Sequence, residues 1–300
     1  MKINLVLAAD DNYAKKCIVT IVSVLQNTKS FVDIYVLTSG FSEQSKELFR
    51  MKTAKYSCNV TYLKVDNTFL SDVPLPKELS HINIVTYYRL LISILLPAKL
   101  DKVISLDSDI IVRHDISQLF ATDMCGYAVG SVLESIYEDR HDCKRLSIPS
   151  KYGYFNAGVL LVNLEFWRRN RLDVVFMDYL KKNHDVIVYH DQDVLNATLY
   201  AVKKTLPVTW NMLPILYLRK MNAKKEPALN SYLSNPSLVH FVYVPKPWSA
   251  NCENPWKTEY RMLAESLGFY DLVPKDSFIF KVKIFVKKIF RMGYYTIGEL

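Results

Sequence analysis

The sequence predicts an α/β fold with a mostly parallel central sheet flanked by helices, and two observations carry that prediction. Short apolar runs of strand length alternate with amphipathic segments of helical period. Acidic clusters stand directly after the first and fourth runs, where open α/β sheets place their ligand sites. Composition agrees: 300 residues are 50% hydrophobic and 23% charged, with only 8 glycines and 12 prolines. That excludes a disordered chain and a collagen-like or low-complexity repeat. The length suits one large domain, or a domain with an appendage.

Ile3–Ala8 is the first strand. From Ala14 the apolar positions Cys17, Ile18, Ile21, Val22 and Leu25 describe a helix face. Val32–Leu37 reads as a strand, Ser42 caps a helix reaching about Tyr56, and Val60–Val65 alternates as a third strand. A helix over about Ile84–Leu95 precedes Pro97, and the strand Lys102–Leu106 runs straight into Asp107. Beyond it, Tyr154–Asn163 is a strand and Leu164–Lys182 a helix. Asp191 caps a helix through Tyr200, Met221–Ser237 is a surface loop, and Leu238–Val244 is a strand. The expected organisation is one domain over 1–275, with a first part to about 115 and a second part beyond it. A tail follows over 276–300.

The net charge of +8 favours anionic partners, but there is no basic stripe or nucleic-acid module, so no nucleic acid is expected. Five cysteines, widely spaced and without C-x-x-C, argue against a disulfide framework or structural zinc and point to a reducing cytoplasm. The apolar start before Asp10-Asp11 is too short for an export signal, and no apolar run approaches the roughly 18 residues that cross a bilayer. The tail differs. Phe278, Val282, Phe285, Val286, Ile289 and Met292 recur at helical spacing, with Lys281, Lys283, Lys287, Lys288 and Arg291 mainly on the other side. Such a helix can lie in an anionic lipid interface, which predicts a peripheral position on the inner membrane face. The plainer alternative is a helix docked on its own domain.

Asp107-Ser108-Asp109 sets two carboxylates one residue apart inside a strongly apolar stretch, which is costly unless a cation or donors compensate them. If the strand pleat continued, both would share a face and reach one ion. Hard oxygen ligands suit Mg²⁺ or Mn²⁺, and an added imidazole favours Mn²⁺. The first turn has no G-x-G-x-x-G, so a Rossmann dinucleotide site is not expected.

Five islands in register carry a more specific signal: Asp10-Asp11-Asn12-Tyr13; Asp107-Ser108-Asp109; Phe155-Asn156-Ala157-Gly158-Val159; His190-Asp191-Gln192-Asp193; and His240 through Lys246-Pro247-Trp248. Over about residues 2–260 the sequence resembles glycosyltransferase family eight, the retaining sugar-nucleotide transferases of GT-A-type fold. It is most similar to bacterial lipooligosaccharide and lipopolysaccharide α-galactosyl- and glucosyltransferases. The resemblance implies Asp107, Asp109 and His240 as Mn²⁺ ligands against the diphosphate of a UDP-hexose, with Mg²⁺ as the substitute ion. A lone His240 closing a strand would otherwise read as a core histidine.

The same resemblance assigns Ala8, Asp10, Asn12 and Tyr13 to the nucleoside pocket, although Asp10 or Asp11 could equally cap the helix that begins near Asn12. It implies that His81, Ile82, Arg89 and Ser108 approach the donor, that Asn156, Ala157, Asp191 and Gln192 hold its sugar, and that Lys246 meets the phosphates. Gln192, Asp191 and Lys246 are the implied catalytic residues, with Gln192 beside the anomeric carbon. Glu134 replaces a family aspartate, and Tyr243 stands where the family often has glycine, which bears on the acceptor side. Tyr189 and Pro214 match positions lining the acceptor cleft. The resemblance further implies that 1–275 is a catalytic domain, nucleotide-binding to about 115 and acceptor-binding over about 116–275, and that it moves galactose or glucose from a UDP-sugar to a saccharide or lipid-linked oligosaccharide acceptor of a surface glycan such as lipopolysaccharide. A non-catalytic UDP-sugar binder, or a nucleotidyltransferase, are the competing readings.

Overall fold

The computed structural model describes residues 1–66, 68, 84–134, 140–214, 232–242 and 245–275. His81, Ile82, Tyr243 and the tail over 276–300 lie outside the described residues. Met1–His240 forms one compact unit, and the chain from Phe241 forms a second.

In the first unit the strands are β1 (Lys2–Ala8), β2 (Phe31–Thr38), β3 (Cys58–Lys64), β4 (Lys102–Leu106), β5 (Ile110–Val112), β6 (Val129–Leu133), β7 (Phe155–Asn163), β8 (Lys203–Thr205) and β9 (Leu238–His240). The helices are α1 (Ala14–Asn27), α2 (Glu43–Thr53), α3 (Ile92–Leu95), α4 (Ser117–Phe120), α5 (Arg140–Arg145), α6 (Leu164–Arg169), α7 (Leu172–Lys182) and α8 (His190–Leu199). Seven strands form one sheet in the order β3-β2-β1-β4-β7-β6-β8, and β5 pairs with β9 in a separate ribbon. Every neighbour in the large sheet is parallel except where β7 runs against β4 and β6. This is the mostly parallel, GT-A-like sheet that the sequence predicts.

The strand order reverses at β1, which has β2 on one side and β4 on the other. The carboxyl ends of β1 and β4 therefore open side by side, the crevice where α/β sheets bind ligands. Because β7 is antiparallel to β4, its start at Phe155–Gly158 lies at that same edge. Strands β2, β4, β6 and β7 and most of β1 are buried on both faces, as their near-continuous apolar runs require, whereas the edge strand β3 is half-exposed. In α1 the predicted face of Cys17, Ile18, Ile21, Val22 and Leu25 is buried, and each large aliphatic contributes about 1.5–3 kcal/mol. Burial pushes the Cys17 thiol up to about 12, so it packs as an inert small hydrophobe.

The polar residues of α1 have a separate task. Thr20 Oγ1 donates to the Ile110 carbonyl at 2.9 Å and accepts from the Ile110 N–H at 3.3 Å. Ser23 Oγ accepts from the Val112 N–H at 2.9 Å, and Asn27 Nδ2 donates to the Val112 carbonyl at 3.0 Å. The helix thus stands in for a strand along one edge of β5. Along the other edge β9 pairs antiparallel with it, Ile110 opposite His240. Beyond β9, Met212 exchanges backbone bonds with Leu238 (2.9 Å) and His240 (3.1 Å).

Several expected elements differ. The single helix over 84–95 is a 3-10 helix, Ile84–Leu91, followed by the one turn α3, which ends before Pro97 as expected. Around that end the Arg168 guanidinium donates to the carbonyls of Ser93, Leu96, Pro97, Ala98 and Leu100. The strand expected over Leu238–Val244 ends at His240. The helix over 164–182 is broken by Arg171 at φ 48°, a left-handed residue that ends α6 and starts α7. Finally, Asp191 does not cap α8: it lies within the first turn, and Tyr189 at the cap position makes no side-chain bond.

In the second unit, the helix Lys257–Ser266 anchors the Lys246-Pro247-Trp248 loop. Arg261 donates to the carbonyls of Pro247 (2.9 Å) and Ser249 (2.8 Å), and the Trp248 ring lies 5.6 Å from that of Tyr260. Among the described residues no helix is long and apolar enough to cross a membrane.

Thr20→Val keeps the shape of the side chain but leaves both backbone groups of Ile110 without their α1 partner. We expect it to lower unfolding free energy by about 1–3 kcal/mol, measured by urea denaturation.

Candidate active site

The backbone bonds around β5 dictate where the two paired carboxylates go. After Leu106 the chain leaves β4, and residues 107–109 form a turn before β5 begins. The strand pleat therefore does not continue through the pair, contrary to the simplest reading of the D-x-D spacing. The turn brings the carboxylates together instead. Asp109 Oδ1 lies 3.2 Å and Asp107 Oδ2 3.5 Å from His240 Nε2. Their three ligand atoms fall within 4.8 Å of one another. His240 is buried, and its cross-strand register with Ile110 places the ring beside the turn.

Room for the ring comes from Gly158 of β7. A Cβ there would sit 2.1 Å from His240 Cε1 and 2.9 Å from Asp107 Oδ2. Neither contact can be tolerated, so glycine is required by close approach rather than by backbone dihedral. The Gly158 carbonyl also accepts the Asp107 N–H at 2.9 Å, which fixes the first residue of the turn. Asp107, Asp109 and His240 offer two hard oxygens and one imidazole nitrogen close enough together to share one ion. That donor set fits Mn²⁺ or Mg²⁺.

Arg89 closes the other side. Its guanidinium donates to Asp107 and, at 2.6 Å, to Asp191 Oδ2, bridging the 3-10 helix to α8. Burial opposes the charge on Arg89, but the two carboxylates outweigh it and raise its pKa further. Burial also pushes the Asp191 carboxyl up to about 6; Arg89 pulls it down and Asp107 adds to the rise. One residue earlier, His190 has a left-handed φ of 50° and its Nδ1 lies 3.0 Å from the Tyr87 hydroxyl. Tyr87 and Arg89 thus grip consecutive residues of α8, holding a backbone conformation that a β-carbon disfavours.

A run of side-chain hydrogen bonds connects the rest. Gln192 Nε2 donates to Glu134 (3.0 Å) and to the Tyr154 hydroxyl (3.1 Å), which donates to Asp193 at 2.6 Å. Gln192 Oε1 accepts from Asn156 Nδ2 (3.0 Å) and the Ala157 N–H (2.9 Å). Asn156 Oδ1 accepts from the Gly158 N–H (3.0 Å) and Asn211 Nδ2 (2.8 Å). Asn211 Oδ1 lies 3.1 Å from His240 Nδ1. Burial works against the charge of Asp193, yet Arg145, Tyr154 and the N–H groups of Tyr189 and Val188 hold its pKa below the usual range.

Asp107, Asp109, His240, Arg89, Asp191, Asn156, Ala157 and Gln192 are therefore brought together. At the end of β1, the Ala8 carbonyl faces Ser108 Oγ at 3.5 Å. Asp10 accepts the Tyr13 N–H at 3.0 Å, so it caps the turn Asp11–Tyr13, one of the two capping options. Asp11 instead ties down Ser42 across the crevice. Asn12 and Tyr13 are exposed, with Lys16 Nζ 4.1 Å above the Tyr13 ring. Tyr189 is exposed and Pro214 half-buried. Lys246, in the second unit, donates to the Phe241 carbonyl at 2.9 Å. Sequence reasoning missed Asn211, Tyr154 and Tyr87, and gave Gly158 no role of its own. Gly158 at least stood inside a recognised island, whereas Asn211 in Trp210-Asn211 carries no local signal.

The raised pKa of Asp191 has a defined sign. The folded, ion-free chain binds its proton more tightly than the unfolded chain does, so the contribution of Asp191 to stability declines as pH rises from about 4 through about 6. We expect that decline to reach about 3 kcal/mol and to vanish in Asp191→Asn, measured by denaturant unfolding across that pH range in a chelator.

Known proteins resemble this chain in sequence and in fold. The chain is 30% identical to general stress protein A of Bacillus subtilis, covering 86% of this chain and 91% of that one. It is 26% identical to the lipopolysaccharide 1,2-glucosyltransferase of Escherichia coli K12, over 92% of this chain and 81% of that one. The crystal structure of the galactosyltransferase LgtC in complex with donor and acceptor sugar analogues superposes with a TM-score of 0.78 at 27% identity, covering 88% of this chain and 96% of that one. A family model described as glycosyl transferase family 8 matches residues 4–252, and the chain belongs to that family.

Proposed function

We propose that this glycosyltransferase moves a hexose, glucose or galactose, from a UDP-sugar to a saccharide hydroxyl of a surface glycan such as lipopolysaccharide or lipooligosaccharide, keeping the α configuration. The observation that carries the proposal is the convergence of Asp107, Asp109 and His240 on one point at the crevice between β1 and β4. These residues would hold Mn²⁺, with Mg²⁺ as the substitute. When bound, the ion supplies a positive charge to the diphosphate of the departing UDP. The names of a lipopolysaccharide glucosyltransferase and a galactosyltransferase among the similar proteins support a hexose donor and a glycan acceptor.

The chain's own residues then have distinct tasks. Asp10, Asn12 and Tyr13, with Ala8 and Ser108 at the strand ends, would receive the nucleoside. Arg89 keeps Asp107 and Asp191 in place, and Asp191 can accept hydrogen bonds from sugar hydroxyls, which select more sharply than apolar contact does. Lys246 would meet the phosphates as a point cation after leaving the Phe241 carbonyl. Gln192 has all four hydrogen-bonding positions of its amide engaged. An amide oxygen held by two donors is a poor nucleophile. That supports same-face substitution, in which the leaving phosphate accepts the proton of the incoming hydroxyl, over double displacement. The basic tail over 276–300 would bring the enzyme to the inner face of an anionic membrane, where lipid-linked acceptors are presented.

Screening UDP-sugars for Mn²⁺-dependent UDP release tests the reaction. UDP-glucose or UDP-galactose should be turned over, and Asp109→Ala and Gly158→Ala should each lose at least about 100-fold while remaining folded. Release unchanged by Asp109→Ala refutes the metal assignment. Deleting residues 277–300 should preserve turnover of a soluble acceptor and weaken sedimentation with anionic liposomes. Equal sedimentation of both forms refutes the role of the tail.

A further inference from the structure

We propose that Asn211 is a positioning residue that fixes the His240 imidazole as its Nδ1–H tautomer and thereby turns a bare Nε2 lone pair towards Asp107 and Asp109. The inference rests on the metal reading above and extends it to a residue outside the ligand set. It follows from donor and acceptor roles that can be assigned one after another, starting at backbone groups whose chemistry is not in doubt.

The Ala157 N–H can only donate, so the Gln192 atom it meets is the carbonyl oxygen Oε1. The Gly158 N–H likewise fixes Asn156 Oδ1 as an acceptor. With Gln192 Oε1 an acceptor, the Asn156 atom facing it is the amide nitrogen, which agrees with the first assignment. The Asn211 atom at 2.8 Å from Asn156 Oδ1 must then be a donor, its Nδ2. Only Oδ1 of Asn211 remains to face His240 Nδ1 at 3.1 Å, and an amide oxygen can only accept. His240 Nδ1 therefore carries the proton.

The far end of the run has the same polarity. Gln192 Nε2 donates to the Tyr154 hydroxyl, and that hydroxyl donates to Asp193, a carboxylate paired with Arg145. Every side chain from His240 to Asp193 thus donates in one direction. Reversing any member would set a donor against a donor or an acceptor against an acceptor in a buried place, at the cost of leaving polar groups unsatisfied. Asn211 itself is fully buried, so water does not offer its oxygen an alternative. A neutral ring with its proton on Nδ1 presents the Nε2 lone pair to two carboxylates, an arrangement that calls for a cation between them. Groups that accept the free N–H of a metal-bound histidine act in this way, typically a carboxylate or a backbone carbonyl. Here a side-chain amide takes that place and links the ion site to Asn156 and Gln192.

The test uses the full chain. Long-range ¹H–¹⁵N correlation spectra of the metal-free, histidine-labelled protein, at a pH where the ring is neutral, report which nitrogen of His240 is protonated, with His240→Gln assigning the signal. Mn²⁺ titration by calorimetry gives the affinity. We expect the Nδ1–H form in the wild type. Asn211→Ala should lose that preference and bind Mn²⁺ about 10–100-fold more weakly. Asn211→Asp retains an acceptor for Nδ1–H and loses the bond to Asn156 Oδ1, which still accepts the Gly158 N–H, so it should restore the tautomer and the ion relative to Asn211→Ala. A wild-type ring protonated on Nε2 overturns the proposal, as does a folded Asn211→Ala with unchanged tautomer or unchanged Mn²⁺ affinity. Should the alanine variant fail to fold, loss of the Nδ1–H form in Asn211→Asp overturns it equally. A wild type that shows the Nδ1–H form but takes up no Mn²⁺ defeats the metal reading instead, so the two failures are distinguishable.

Discussion

Everything at this site depends on two carboxylates, one buried and one half-buried, being held against one buried imidazole. The sequence brings Asp107 and Asp109 close by chain connectivity, but His240 lies more than a hundred residues away. What unites them is the three-residue strand β5. Its backbone bonds to α1 on one side and to β9 on the other, so the residue after Asp109 is locked opposite His240. Charge clustering of this kind is unfavourable in isolation. It is held here by rigid backbone pairing, by Arg89 against Asp107, and by a buried glycine that yields its side-chain volume to the ring.

The architecture was legible because hydrophobic period and strand length report directly on burial. Strand and helix alternation, the acidic clusters at strand ends and the helix face of α1 all read correctly. Where the reading failed, tertiary bonds overrode local pattern. The end of α3 before Pro97 read correctly, but the stretch that carries Tyr87 and Arg89, both bonded to α8, is wound as a 3-10 helix. Asp191 looks like a cap because aspartate before a helix usually is one. Its burial against Arg89 could be inferred only once the 3-10 helix and α8 were known to pack together.

The site itself was legible in a different degree. Its charged members stood in motifs whose order along the chain is informative, and the ligand triad does converge. The neutral amides were harder. Asn156 and Gln192 were visible within their islands as sugar contacts, yet in the ligand-free chain both are engaged with each other and with backbone N–H groups of β7. Asn211, equally buried, belongs to no motif. An amide betrays its role through the partners on both of its ends, and those are properties of three dimensions. The same holds for His190, whose left-handed backbone is sustained by packing and by the Tyr87 hydroxyl rather than by its own preference.

The β5–β9 ribbon has one more consequence. A pair of three-residue strands ordinarily exposes two rows of unsatisfied backbone groups, a template on which a neighbouring molecule can add its own strand and begin to aggregate. Here Thr20, Ser23 and Asn27 occupy one row and Met212 the other. The segment carrying the most strongly charged chemistry is thereby sealed against recruitment into intermolecular sheets. It is also denied the one-residue slip that would swing His240 to the opposite face. Colloidal safety and the register of His240 are secured by the same few groups, the hydroxyls and amide of one helix on β5 and the backbone of Met212 on β9.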